Sequence, residues 1–145
     1  MKILSIRQPW SYLIAHGIKD IENRDWTTSY RGLVLIHAGK NVDPSCFDED
    51  GMFSPEFYLG ADLHIKGRVP LLKSDYETGG IVGIARLVNV VTESDSPWFR
   101  GRYGWVFSRA MPLPLIPAKG NPLLMDAPED IVEQVKAACR KAWAA

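Results

Sequence analysis

Residues 7–24 run RQPWSYLIAHGIKDIENR: a polar opening, a short apolar period and a charged close. Pro9 suits the first turn of a helix, where its missing N–H has no intrahelical partner to lose. Trp10, Leu13 and Ile14 fall at helical spacing and give one apolar face. Gly17 supplies the left-handed cap that other residues adopt only with strain. Lys19, Glu22 and Arg24 follow closely. If residues 20–24 form a strand, Glu22 and Arg24 point to one face, Ile21 and Asn23 to the other. Lys19 has the wrong parity for that face, so it is expected in the turn, reaching in from the end. An ammonium, a carboxylate and a guanidinium would then surround one small volume. The plainer reading of the same pattern is a surface salt-bridge cluster on an edge strand.

The stretch also resembles a known family. Gly17-x-Lys19-x-x-Glu22-x-Arg24 is similar to the G-x-K-x-x-E-x-R signature of the ASCH domain, a member of the PUA-like superfamily. Leu4-Ser5-Ile6-Arg7-Gln8-Pro9-Trp10 resembles the L-S-x-R-Q-P-W lead-in of one subgroup. Arg31-Gly32 with Ile36-His37-Ala38, Gly80-Ile81-Val82-Gly83, Tyr103-Gly104-Trp105 and Lys119-Gly120 follow in the family's order. The resemblance implies a small PUA-like β-barrel with flanking helices. Its cleft would be lined by Arg7, Gln8, Trp10, Lys19, Glu22, Arg24, His37, Tyr103 and Lys119.

The chain has 145 residues, 46% hydrophobic and 23% charged, which are ordinary globular values. A chain of that length makes one domain, expected over 1–145, and buries about two-thirds of its unfolded surface. Lys+Arg and Asp+Glu both number 17, so the formal net charge is zero. A protein that grips long duplex nucleic acid through phosphates carries a basic excess. Contact here is therefore expected to be local, with roughly one to three phosphates. Cys46 and Cys139 form neither a CxxC pair nor a zinc pattern, and with His16, His37 and His64 they show no metal-ligand spacing. No metal or cofactor is expected. Met1-Lys2 leads into a short strand pattern rather than a signal peptide, and no apolar run approaches the roughly 20 residues of a membrane span. The expectation is a soluble cytoplasmic protein.

Strands are expected at 2–6, 20–24, 33–38, 81–91 and 103–108, with Gly39 and Lys40 closing the third. Leu33 to Ala38 is apolar on both faces, as in a strand buried on both sides, with His37 near its end. Gly83 marks a bend or bulge. Trp26, in the polar loop after Arg24, is expected to plug the core rather than serve as a stacking platform. Asp48-Glu49-Asp50 lacks the spacing of a calcium loop and reads as a solvated acidic turn. Ser54 and Pro55 read as a helix start, with a rough helical pattern up to Gly67. Trp98-Phe99-Arg100-Gly101-Arg102 is aromatic and basic together, a weak signal for a nucleic-acid backbone. Pro112, Pro114, Pro117 and Pro122 exclude a central strand and suggest an edge strand plus loop. A last helix is expected from Asp126, with Ile131, Val132, Val135, Ala138 and Ala142 as its buried stripe. Short strands with Gly and Pro punctuation, plus these helices, give an α+β fold with a small barrel.

Three function classes fit. The first is a binding module for RNA or a modified nucleoside. It has flat aromatics (Trp10, Tyr103, Trp105) beside donors and acceptors (Gln8, Lys19, Glu22, Arg24). Stacking is worth roughly 1–3 kcal/mol per base. The second is a small hydrolase, since some ASCH relatives are similar to amidohydrolases that act on N4-acetylcytidine through lysine, threonine and glutamate, and others are linked to RNA cleavage. Lys19 matches the lysine, but Glu22 occupies the threonine position. In a variant mechanism Glu22 would be the general base and Lys19 would stabilise the oxyanion. The third is a scaffold with an idle cleft.

Overall fold

The computed structural model describes residues 1–54 and 67–144. The helix expected between Ser54 and Gly67 lies almost entirely outside the described residues. The described elements run β1 (Lys2–Gln8), α1 (Trp10–Ala15), β2 (Ile21–Arg24), β3 (Gly32–Val42), β4 (Gly80–Val91), β5 (Tyr103–Pro117), β6 (Met125–Asp126) and α2 (Glu129–Ala144). The strands form one six-stranded mixed sheet in the order β2-β5-β4-β3-β1-β6. Only β1 and β3 are parallel neighbours. The expected barrel is therefore only approximate, because the sheet does not close. Its two outer strands, β2 and β6, have four and two residues, too short to form the last ladder.

Alternation along the central strands sends apolar groups to both faces. Leu4, Val34 and Ile36 join Ile14 and Ala15 of α1 in one core. Ile3 and Leu35 join Ile131 and Val135 of α2 in another. The sheet is thus sandwiched between a short helix and a long one, and this explains why the run from Leu33 to Ala38 is apolar on both faces apart from His37, although Leu33 itself is only half-buried. Trp26 plugs the first core, edge-on to Trp105 at 4.7 Å between ring centroids. The seat of α1 depends on Gly83, where a Cβ would come within 2.5 Å of Ala15 Cβ and 2.9 Å of the Met111 carbonyl oxygen. Register shifts flank that glycine in the pairing with β5. Gly83→Val is expected to lift α1 off the sheet and cost about 1–3 kcal/mol, the usual penalty of overpacking. Urea unfolding would show this as a lowered midpoint.

Four boundaries differ from expectation. β1 runs past Ile6 to Gln8. β3 continues through Gly39 and Lys40 to Val42. β5 runs past Ser108 to Pro117 as one bulged strand, with Arg109 at φ 51° beside a register shift. Its prolines are tolerated because β2 pairs only with Tyr103 to Val106, which leaves the later half on an edge. The last helix starts at Glu129, not Asp126. Pro128 offers its carbonyl to the Val132 N–H at 3.0 Å, and Asp126 pairs instead with Lys2 at 2.7 Å. The buried stripe fades by Ala142, which is exposed.

Candidate functional site

The end of α1 sets the position of Lys19. Gly17 takes φ +70°, and the N–H groups of Ile18 and Lys19 both bond to the Leu13 carbonyl, at 2.9 and 3.0 Å. This tight turn carries Lys19 beneath the helix, where it is only 4% exposed. Its Nζ lies 2.9 Å from Glu22 Oε1 and 5.2 Å from the Trp10 ring centroid. β2 pairs Glu22 with Trp105 and Arg24 with Tyr103, so Glu22 and Arg24 share a face. A terminal nitrogen of Arg24 lies 3.2 Å from Glu22 Oε2 and also donates to the Ser5 carbonyl. Both oxygens of one buried carboxylate are therefore held by cations. Arg24 Nε is buried with no hydrogen-bond partner among the described residues.

Two indoles wall this cluster. Trp10 and Trp98 meet edge to face, with centroids 6.4 Å apart. Trp10 Nε1 donates to Asp43 Oδ2 at 3.0 Å, and Arg7 reaches the same oxygen at 3.5 Å. The Trp98 carbonyl accepts from Asn23 at 2.9 Å. Among the described residues, the resulting cleft of about 260 Å³ is lined by Arg7, Lys19, Arg24 and Arg100 and by two carboxylates, Glu22 and Asp43. Burial pushes the Asp43 carboxyl up. The hydrogen bonds from the Ser45 hydroxyl, the Trp10 indole and the Ser45 amide, with the Arg7 charge, outweigh it and leave the group below its ordinary 3.8.

That shift has a sign that can be tested. A carboxyl depressed in the folded state contributes stability that is complete above its unfolded value. The contribution declines as pH falls below that value and is gone below the folded one. Asp43→Asn should therefore unfold with a smaller stability difference between about pH 5 and pH 3 than the parent. Urea midpoints at the two pH values measure it.

Beside the cleft, and sharing Ser5, Arg7 and Arg24 with it, lies a shallower groove of about 580 Å³ lined also by His37, Lys40, Lys119 and Gly120. His37 is buried. Its Nε2 donates to the Ala118 carbonyl at 2.8 Å, which leaves Nδ1 to accept from the Ser5 hydroxyl at 3.0 Å. A carbonyl can only accept, and this assigns the tautomer.

The structure thus brings Arg7, Trp10, Lys19, Glu22 and Arg24 to one cleft, and His37 and Lys119 to the adjoining groove. It does not bring the other expected residues there. Gln8 is buried with its amide spent on structure: Nε2 donates to the Glu77 carbonyl at 2.8 Å and Oε1 accepts from the Tyr12 N–H at 2.9 Å. Trp105 is fully buried in the core, its Nε1 donating to the Trp26 carbonyl at 3.1 Å. Tyr103 packs against the same core, with Arg102 over its ring at 5.2 Å. The flat group that approaches Gly104 is the chain's own Phe99, 2.7 Å from where a Cβ would sit. Sequence reasoning noted Trp98 and Arg100 only as part of a weak signal outside the expected cleft, the aromatic–basic run 98–102, and it passed over Asp43. Asp43-Pro44-Ser45 was the signal for the last, since Asp43 caps a 3₁₀ turn over Pro44–Cys46. Among the described residues no group of three or more His, Cys, Asp or Glu could hold a metal ion, and no helix is long and apolar enough to cross a membrane.

A family model, the ASCH domain, matches residues 4–100. Activating signal cointegrator 1 of Homo sapiens is 30% identical over 137 residues, a match covering 82% of this chain and 21% of that protein. The Mus musculus protein of the same name is 32% identical over 92 residues, covering 62% of this chain and 14% of that one. The chain therefore spans at most about a fifth of the length of these curated relatives. The crystal structure of ASCH from Zymomonas mobilis matches with a TM-score of 0.53 at 11% identity, over 94% of this chain and 93% of that one. A point mutant of it gives 0.52 at 12% identity, over 94% and 96%. At such identity the likeness establishes the fold.

Proposed function

The chain belongs to the ASCH domain family, and from that premise we propose that its cleft binds one base of an RNA, or a modified nucleoside, as a single unit over 1–145 in the cytoplasm. Within the family we assign it to the subgroup with the L-S-x-R-Q-P-W lead-in. The observation that carries the reading is the buried Lys19–Glu22–Arg24 cluster in a cleft that Trp10 and Trp98 also line. An indole wall offers stacking worth roughly 1–3 kcal/mol per base. Glu22 is an acceptor for a base amino group, and Lys19 and Arg24 are donors for a ring carbonyl. The surplus of cations over carboxylates suits a ligand that carries phosphate. Burial pushes the Cys46 thiol up to about 12, which keeps it inert.

Binding is favoured over hydrolysis of an N4-acylated cytidine, or of RNA, by the state of the cluster. Lys19 donates to Glu22 and Arg24 takes the other oxygen; each oxygen keeps a second lone pair that can accept from a base amino group, while the two ion pairs hold the carboxylate as a fixed acceptor rather than a base free to move toward water. The test is to incubate the protein with a panel of modified nucleosides and short RNAs, reading melting-temperature shifts and products by mass spectrometry together. A shift without product is expected. Turnover of an acylated nucleoside or of RNA would replace this reading with the enzymatic one, and no shift with any member would leave the cleft idle.

A further inference from the structure

We propose that the groove beside the cleft is a phosphate subsite, which takes the phosphodiester backbone flanking the nucleotide whose base enters the cleft. The inference rests on the base-binding reading and adds to it that the ligand is a single-stranded oligonucleotide rather than a free nucleoside. In a chain of zero net charge, the groove is lined by Arg7, Arg24, Lys40 and Lys119 and by no carboxylate among the described residues. Such a local excess attracts a polyanion without the global basic charge of a duplex binder. It is also continuous with the cleft through Ser5, Arg7 and Arg24. Arg7 is suited to the junction, since its side chain is 58% exposed and tethered at 3.5 Å to a buried Asp43.

The floor of the groove is held rigid from within. The loop after β5 is pinned by the His37 bond to the Ala118 carbonyl at 2.8 Å and by the Asn121 N–H bond to Ser5 Oγ at 2.9 Å. Gly120 lies so close that a Cβ there would collide with both Ser5 Oγ and the His37 ring. His37 thus serves the groove as a positioning residue, its two nitrogens already spent on Ala118 and Ser5. Lys119 stands on this fixed loop and Lys40 on β3 opposite it, and both are exposed. Cations on a rigid frame lose little freedom when they meet an anion. A membrane surface would also meet four cations, but it could not send a flat group into the adjoining cleft.

The experiment compares a nucleoside, its monophosphate and a single-stranded RNA tetranucleotide in the full chain and in a Lys40→Ala/Lys119→Ala variant, by fluorescence titration at several salt concentrations. The tetranucleotide should bind at least about tenfold tighter than the nucleoside, since each charge-assisted contact adds to the affinity. The double variant should lose that gain and leave the nucleoside's affinity unchanged. Neutralising the three phosphodiesters of the tetranucleotide gives a slope of log affinity against log salt of about −2, and the double variant should be shallower by about 1.4. Equal affinity for nucleoside and tetranucleotide, or a gain that survives the double variant, would overturn the subsite. So would tighter binding to phosphatidylglycerol vesicles than to the tetranucleotide. A tetranucleotide lost in the double variant but indifferent to Trp10→Ala would overturn the base-binding reading and leave the groove as a backbone site alone. Binding of none of the three would overturn both.

Discussion

Glu22→Ala is expected to destabilise the protein by about 3–5 kcal/mol, because it strands a buried ammonium. Lys19 is 4% exposed and Glu22 is 8% exposed, so the ammonium left behind would be largely desolvated. Arg24 would lose the same partner, 3.2 Å away, and it already has a buried Nε with no bond. The Trp10 ring, 5.2 Å from Lys19 Nζ, offers partial compensation. The double change Lys19→Met/Glu22→Leu should recover the share of the loss that comes from the stranded ammonium, while Arg24 stays without its carboxylate partner. Equilibrium urea unfolding of parent, single and double variants closes the cycle. If Glu22→Ala cost less than about 1 kcal/mol, the pair would be behaving as a solvated surface bridge. Glu22→Gln serves the functional half of the question. It keeps the shape and exchanges an acceptor for a donor, so it should change which base binds while leaving the salt dependence unaltered.

Trp105→Ala is expected to cost about 3–5 kcal/mol of stability, the range for removing a large buried aromatic. Its ring is fully buried, packed edge-on against Trp26, and its Nε1 satisfies the Trp26 carbonyl. Trp105→Phe separates packing from ligand contact. It keeps an aromatic in the core and should leave the affinity of the folded fraction unchanged. The matching change at Trp10 is expected to weaken binding of any base-containing ligand. Thermal unfolding followed by titration below the transition reports both. A Trp105→Phe variant that folded normally yet bound tenfold more weakly would return this indole to the site.

These two residues mark where local reasoning worked and where it stopped. Glu22 and Arg24 on one face, with Lys19 entering from the turn, follow from strand parity and a glycine cap, and both operate within a few residues. Burial of Val34 to Ala38 on both faces follows from composition alone. The tryptophans are different. Trp10, Trp26, Trp98 and Trp105 are chemically identical, and what separates them is which neighbour each meets. Trp105 sits on the face of β5 that packs beneath α1, while Trp98 is brought beside Trp10 by a loop 88 positions further along the chain. No periodicity reports such a meeting. Gln8 reads as a donor for a ligand until Glu77 and Tyr12 are found to occupy both ends of its amide.

By itself, then, the sequence determined the strand and helix periods, the cluster at Lys19, Glu22 and Arg24, and the membership of the family. Each is carried by contacts between residues close in the chain or by motif order. Only the tertiary structure decided that the sheet stays open, that Asp43 ties Trp10 to Arg7 at the mouth of the cleft, and that Lys40 and Lys119 face one groove. Those outcomes depend on contacts across tens of residues, whose geometry is set by how β1, β3 and β5 stack between α1 and α2. A hydrogen bond or a cation placed by such stacking leaves no local trace, because the same residue type at the same spacing is equally at home in solvent.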